Sequence, residues 1–256
     1  LDGIVSTTYQ QISGDGWVSV DGGVPKEAAL SIYVNGSELA TFMCTPVQQK
    51  ALALGFLANE GLIAGLDEVP VAHVCARGTC VDVWLSHAMQ RPPRSIVTSG
   101  CGGGLTFDDL SREIEPLDSD LRVPPAQIHA LMRQLQGAGD LYRQVRGIHT
   151  SALSDGERLL LVAEDVGRHN TLDKLRGLAL QEGVDTRDRI LLSSGRVSSE
   201  MLNKAARMGV PVVVSRTSPT GLSVALARAW GIALIGYVRQ NRMNVYAGEE
   251  RLRAEV

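Results

Sequence analysis

Aromatic residues make up only 4% of the 256-residue chain. So few rings argue against a base-stacking platform for single-stranded nucleic acid. Neither sign of charge dominates: the formal net charge is -3, so no broad basic surface for a polyanion is expected. No run approaches the roughly 18 apolar residues of a membrane-crossing helix. The opening LDGIVSTTYQQISG has no basic segment followed by an apolar one, so no secretory leader is read there. Cysteine is scarce, at Cys44, Cys75, Cys80 and Cys101, and a chain this long buries enough core to need no disulfide staples. A reducing, cytoplasmic setting is the expectation. The cysteine spacings match no compact zinc pattern. Two nucleotide signatures are missing as well, GxGxxG behind the first strand of the βα series and GxxxxGK[ST]. The paired elements of a zinc deaminase are absent too, and His129, His149 and His169 are too scattered to claim a metal; none is assigned.

What is present organises into three stretches. Residues 1–26 are polar and glycine-rich and read as an arm or edge strand. Residues 27–136 read as a small α+β region, some of whose strands could join the main sheet. In it ALSIYVNGSELATFMC is a hairpin turning at Asn35-Gly36, and QQKALALGFLANEG is a helix stopping near Gly61. VPVAHVCARGTCVDVWL is a second hairpin, and a cysteine loop occupies 99–107. A helix is expected from about Pro124, with Ile128, Leu131, Met132 and Leu135 as its apolar stripe. Residues 137–256 read as an α/β domain. The strands ERLLLVAEDV, RILLSSG, VPVVVSRT and IALIGYVR alternate with helices, the first of which has Asn170 as its expected N-cap. Strands rich in Val, Leu and Ile without strict alternation belong in a largely parallel sheet covered by helices on both faces.

That topology gathers the strand-to-helix loops along one sheet edge, where open α/β sheets bind ligands. The loops bring Arg168, Arg196 and Arg216, and the last strand brings Arg239 and Arg242. A single arginine is more often a solvent-facing charge, but recurrence at equivalent positions points to an anion pocket suited to phosphates. The small-residue sets SSG at 193–195 and SPTG at 218–221 serve equally as turns and caps or as a phosphate cradle, and Ser194, Gly195 and Ser215 are candidate phosphate contacts by the same placement. Asp165 and His169 could pair by a hydrogen bond and orient a ligand. In VTSGCGGGLTF, Cys101 is surrounded by glycines, a poor core environment, so an accessible thiol is expected there.

These segments resemble the FdhD/NarQ family. The likeness runs from about Leu30 to Tyr246 and is most specific in EDVGRHNTLDK, SSGRVSSEMLNKAARMGVPVVVSR, ALALGFLANEG and RMNVY. The resemblance implies a cytidine-deaminase-like α/β fold without zinc, joined to a small α+β domain, and commonly a homodimer. It implies a sulfurtransferase that takes persulfide sulfur from a cysteine desulfurase. The sulfur passes to the molybdenum cofactor, as bis-molybdopterin guanine dinucleotide, for an apo formate dehydrogenase or related molybdoenzyme. GDP or another guanine nucleotide would be its analogue. Cys101 matches the first cysteine of the family's Cys-Gly-x-Cys-Gly loop, whereas Gly104 and Leu105 replace the second cysteine and its glycine. The implied cofactor contacts are Tyr237, Val238, Arg239, Gln240, Asn241 and Arg242, joined by Gly167, Arg168, His169, Ser194, Gly195, Arg196, Ser215 and Arg216. Cys44 offers a remote second thiol. A non-catalytic cofactor chaperone is the alternative, and a nucleotide-converting enzyme is a weaker one. Nucleic acid and membrane are not expected partners.

Overall fold

A computed structural model describes residues 3–89, 96–97, 105–106 and 115–252. Strands β1 (Ile4–Ser13) and β2 (Gly16–Pro25) form a two-stranded antiparallel ribbon of their own, so the first segment is not an edge strand of either larger sheet. Strands β3 (Ala28–Val34) and β4 (Ser37–Cys44) turn at Asn35 and Gly36, whose φ of 50° and 79° are what a two-residue hairpin loop of this hand requires. With β5 (Val71–Val74) and β6 (Cys80–Trp84) they make a four-stranded sheet of order β4-β3-β6-β5, in which β3 and β6 run parallel. Helix α1 (Gln49–Asn59) covers it, packing Leu52, Phe56 and Leu57 onto Leu30, Ile32, Phe42 and Val81. Every residue from Ala51 to Asn59 is buried, because α1 is sandwiched between this sheet and another helix. Its lack of a polar face follows from that.

Strands β7 (Ile96–Val97) and β8 (Leu105–Thr106) pair antiparallel. Cys101 and Gly102 to Gly104 lie outside the described residues, as does most of the expected cysteine loop. Helices α2 (Pro125–Ala138) and α3 (Asp140–Val145) then lead into the larger sheet. Its strands are β9 (His149–Ser154), β10 (Leu159–Asp165), β11 (Ile190–Ser193), β12 (Val212–Ser215), β13 (Ala233–Arg239) and β14 (Arg242–Ala247). They lie in the order β10-β9-β11-β12-β13-β14. β11, β12 and β13 run parallel, while β9 and β14 pair antiparallel with their neighbours. Helices α4 (Arg168–Glu182), α5 (Ser199–Arg207) and α6 (Gly221–Ala229) contribute to the core on one face. α2 packs its stripe of Ile128, Leu131, Met132 and Leu135 on the other, against Ala152, Leu192, Val214 and Ile235. The expected division after residue 136 therefore cuts through a helix of the larger layer. Residues upstream of α2 belong with that layer as well: Leu117 N–H donates to Trp230 O and Val123 N–H to Arg251 O. No described helix is long and apolar enough to cross a membrane.

The two sheets are joined where α1 crosses α4. A Cβ on Gly55 would fall 1.7 Å from the Asp173 carbonyl oxygen, and one on Gly177 would fall 1.9 Å from that of Ala51. Only glycine permits backbones to approach so closely. Two buried ion pairs flank the crossing. Lys204 Nζ lies 2.6 Å from Asp173 Oδ2, and Asn59 donates to the other carboxylate oxygen at 2.8 Å. Lys174 Nζ lies 2.6 Å from Asp165 Oδ2 and also donates to the carbonyls of Thr45 and Glu164. That ammonium ties the carboxyl end of β4 to the carboxyl end of β10.

Candidate functional site

Because β9 and β14 run against the parallel strands, their starts lie at the same edge as the carboxyl ends of β10 to β13. His149 therefore joins the loops that follow β11, β12 and β13. Those loops are stitched together by small side chains. Thr150 and Ser194 exchange two hydrogen bonds, Ser194 N–H to Thr150 O and Thr150 N–H to Ser194 Oγ, both 2.9 Å. Ser215 Oγ donates to Gly195 O at 2.6 Å and accepts from Thr217 N–H at 3.0 Å. A Cβ on Gly195 would meet Arg168 Cβ at 3.1 Å and His149 Nδ1 at 3.2 Å, so glycine lets three segments close up. Ser198 caps α5, and Thr220 with Ser223 forms a capping box on α6.

A crevice of about 360 Å³ opens beside this knot, lined by Met132, Leu135, Gln136, Tyr142, His149, Ser194 and Arg216. A smaller hollow of about 40 Å³ adjoins it through Met132 and Gln136, and carries His129, Arg133, Val238, Arg239 and Gln240. Together they run along the flank of α2, where its buried Met132 and Leu135 meet the exposed Arg133 and Gln136. At their far end Tyr237 holds φ of 52°, with its N–H donating to Thr217 O at 3.1 Å. A bulky residue in the left-handed region costs on the order of 1–3 kcal/mol, so the surrounding packing must hold it there. The β13–β14 register is irregular between Gly236 and Arg239, Val238 is buried in the core beneath α2, and Arg239 to Arg242 are exposed.

Of the residues singled out from the sequence, Ser194, Arg216, Val238, Arg239 and Gln240 line these hollows. Gly195 and Arg168 pack behind them. Arg196, Tyr237, Asn241 and Arg242 are exposed at the same edge. Among the described residues, no carboxylate forms an ion pair with Arg196, Arg216, Arg239 or Arg242. Ser215 is wholly buried in the stitching.

His169, Asp165 and Asn170 differ from expectation. Asp165 does not pair with His169; it binds Lys174 and accepts N–H groups from Thr45, Gly167 and Asn170. His169 instead reaches Ser198 Oγ at 3.0 Å and Glu200 Oε2 at 3.4 Å. Burial, with Lys204 and Arg168 nearby, pushes the His169 pKa down to about 2. The ring is therefore neutral, its hydrogen bond goes to Ser198, and its approach to Glu200 is not an ion pair. Asn170 lies inside α4, whose N-cap is Gly167, and its amide donates to Met43 O and Asp165. His149 is also held below the usual imidazole range, by burial first and Arg168 second, so it presents an uncharged ring to the crevice near neutral pH. Cys44 is fully buried, and burial with Asp165 raises its thiol to about 12, which removes it as a remote second thiol.

The sequence reading gives no crevice role to His129, Arg133, Gln136 or His149 and weighs the two histidines only as metal ligands. The first three recur at helical spacing beside the apolar stripe of α2, a signal that was available. His149 was hidden because HTSALS carries small polar residues and does not resemble a core strand. Their partners are internal, as with Ser151 Oγ bonded to Thr171 Oγ1 at 2.7 Å.

The architecture is that of a cytidine-deaminase-like α/β protein with an arginine-bearing crevice at the carboxyl edge of its larger sheet. Among the described residues, no three His, Cys, Asp or Glu side chains converge to hold a metal ion. The chain belongs to the FdhD/NarQ family, whose model matches residues 25–253. It is 37% identical to the sulfur carrier protein FdhD of Staphylococcus aureus strain MRSA252 over 232 residues, covering 88% of each chain. It is also 37% identical to the protein of the same name from Bacillus subtilis strain 168 over 233 residues, covering 89% of each. A crystal structure from Desulfotalea psychrophila, assigned as a formate dehydrogenase accessory protein, superposes with a TM-score of 0.82 at 29% identity, covering 98% of this chain and all of that one.

Proposed function

We propose that this protein is a sulfur carrier. It accepts persulfide sulfur from a cysteine desulfurase and delivers it to a molybdenum cofactor destined for formate dehydrogenase. The supporting observation is the crevice along α2, where Ser194, Arg216 and Arg239 gather at the carboxyl edge of a sheet in a chain whose relatives are named sulfur carriers. Guanidinium groups that have no carboxylate partner among the described residues suit the phosphates of a guanine dinucleotide, and Gln136, His149 and Thr150 supply neutral hydrogen-bonding groups beside them. In this reading the residues named above from Gly167 to Arg242 contact the cofactor directly or hold the groups that do. Cys101 carries the sulfur: its thiolate attacks the terminal sulfur of the donor's persulfide, forming Cys101–S–SH and releasing the donor thiolate. The working form is a homodimer.

Gly104 at the position of the family's second cysteine favours one further reading, a cofactor chaperone without sulfur relay. The experiment separates them. The protein is incubated with a cysteine desulfurase and cysteine and mapped by peptide mass spectrometry, while GDP binding is measured by calorimetry. One added sulfur on Cys101, lost in Cys101→Ala with GDP affinity unchanged, is expected. Arg216→Ala and Arg239→Ala should each weaken GDP roughly 10- to 150-fold, the loss of one charge-assisted hydrogen bond. GDP binding without sulfur loading favours the chaperone, and absence of both overturns the proposal.

A further inference from the structure

Outside the crevice, the described residues contain one place where two thiols face each other. Cys75 and Cys80 close the β5–β6 hairpin, one step beyond the Val74–Val81 pair. Cys75 N–H donates to Cys80 O at 2.9 Å, as in an ordinary ladder. The return bond is diverted: Cys80 N–H donates to Cys75 Sγ at 3.0 Å instead of to its carbonyl. Thr79 Oγ1 lies 3.8 Å from the same sulfur. The turn between them is fixed by Gly78 N–H donating to Cys75 O, with Gly78 at φ of 66°, and by Gln49 Nε2 donating to Gly78 O. Directly opposed residues of an antiparallel pair have Cα atoms about 4.5–5.5 Å apart, within the range of about 4.4–6.8 Å that a disulfide spans. Both side chains are partly exposed, and both thiols are free.

We propose that Cys75 and Cys80 form a redox-active dithiol that exchanges with small disulfides, Cys75 attacking and Cys80 resolving. The Cys75 thiolate attacks one sulfur of a low-molecular-weight disulfide RSSR, forming Cys75–S–S–R and releasing RS⁻. Cys80 gives up its proton and attacks Cys75 Sγ, and a second RS⁻ leaves. In total two protein thiols are oxidised to one disulfide, and RSSR is reduced to two RSH.

The division of roles follows the hydrogen bonds. Cys80, Thr79 and the Cys80 N–H all point at the Cys75 sulfur and stabilise its anion, bringing its pKa down to about 6. Cys80 is pushed up by that same thiol–thiol contact, by burial and by Asp82, and Tyr33 is the other titratable group that senses it. A thiol of that pKa is mostly ionised at pH 7 but intrinsically less nucleophilic. The two effects leave it only about twofold faster than an ordinary free thiol at pH 7, and roughly 20-fold faster at pH 5. The acid-side measurement is therefore the discriminating one.

This inference is independent of the sulfur-carrier reading, and its test does not involve cofactor or desulfurase. The full chain is equilibrated with glutathione disulfide, quenched with N-ethylmaleimide and digested with trypsin, which cuts after Arg77 between the two cysteines. The expected product is the peptide ending at Arg77 joined to the peptide starting at Gly78. Cys80→Ser should trap one glutathione on Cys75, and Cys75→Ser should leave Cys80 unmodified. Iodoacetamide at pH 5 should label Cys75 roughly 20-fold faster than glutathione. Recovery of Cys75 and Cys80 as separate alkylated thiols, or a disulfide from either of them to Cys101, overturns the proposal. So does equal labelling of Cys75 and glutathione at pH 5.

Discussion

Replacing Gly55 by alanine tests the joint between the two sheets. The substitution adds one methyl group, which would stand 1.7 Å from the Asp173 carbonyl oxygen and 2.6 Å from the Gly177 nitrogen, both backbone atoms that no rotamer change can move. Ordinary contact begins near 3.4 Å, so α1 and α4 must part by roughly as much as the clash intrudes. Two effects oppose each other. Alanine gains about 1 kcal/mol over glycine within a helix. Overpacking costs about 1–3 kcal/mol, and parting the helices also disturbs buried ion pairs whose disruption is worth about 3–5 kcal/mol. The second effect wins, by an estimated 2–4 kcal/mol net, and the thermal midpoint should fall by roughly 5–15 °C. Differential scanning calorimetry reads this directly. Gly137→Ala is the control: it lies near the end of α2 with open space where the methyl would go, so helix propensity alone should leave the midpoint unchanged or slightly raised. A Gly55→Ala protein that melts with or above the parent would refute the close-crossing argument.

Lys174→Met should cost about 3–5 kcal/mol in chemical denaturation, because it strands the buried Asp165 carboxylate; a loss under about 1 kcal/mol would show that water or another group compensates. The depressed His169 pKa makes a pH prediction. The unfolded chain takes up a proton near pH 6.5 that the folded chain refuses until about pH 2. The stability this ring contributes is thus complete above pH 6.5 and is lost as pH falls, at up to about 1.4 kcal/mol per pH unit. His169→Gln should flatten that slope between pH 6.5 and 5, and an unchanged slope in urea midpoints would contradict it.

Much of the frame could be read in the sequence because its signals are local. Asn35-Gly36 marks a turn by backbone preference alone, and the α2 stripe declares one buried face. The elements that escaped depend on tertiary partners. β9 is assembled from small hydroxylated residues whose hydrogen bonds go to α4 and β11, and nothing in HTSALS announces them. Asn170 has the chemistry of a cap, but Asp165 and Met43 hold its amide from outside the helix. The arginine edge was legible as a recurrence along the chain. The wall it faces was not, because α2 arrives from before the strands it covers.

The Lys174 contact has a mechanical consequence. Its ammonium is shared between the ends of two strands from different sheets, with a carboxylate completing the cluster. Swinging one layer away from the other would leave two opposite charges half-wetted and apart, so this junction behaves as a weld rather than a hinge. Any rearrangement that let in a large guest would therefore be confined to the rim rather than to the junction between the layers.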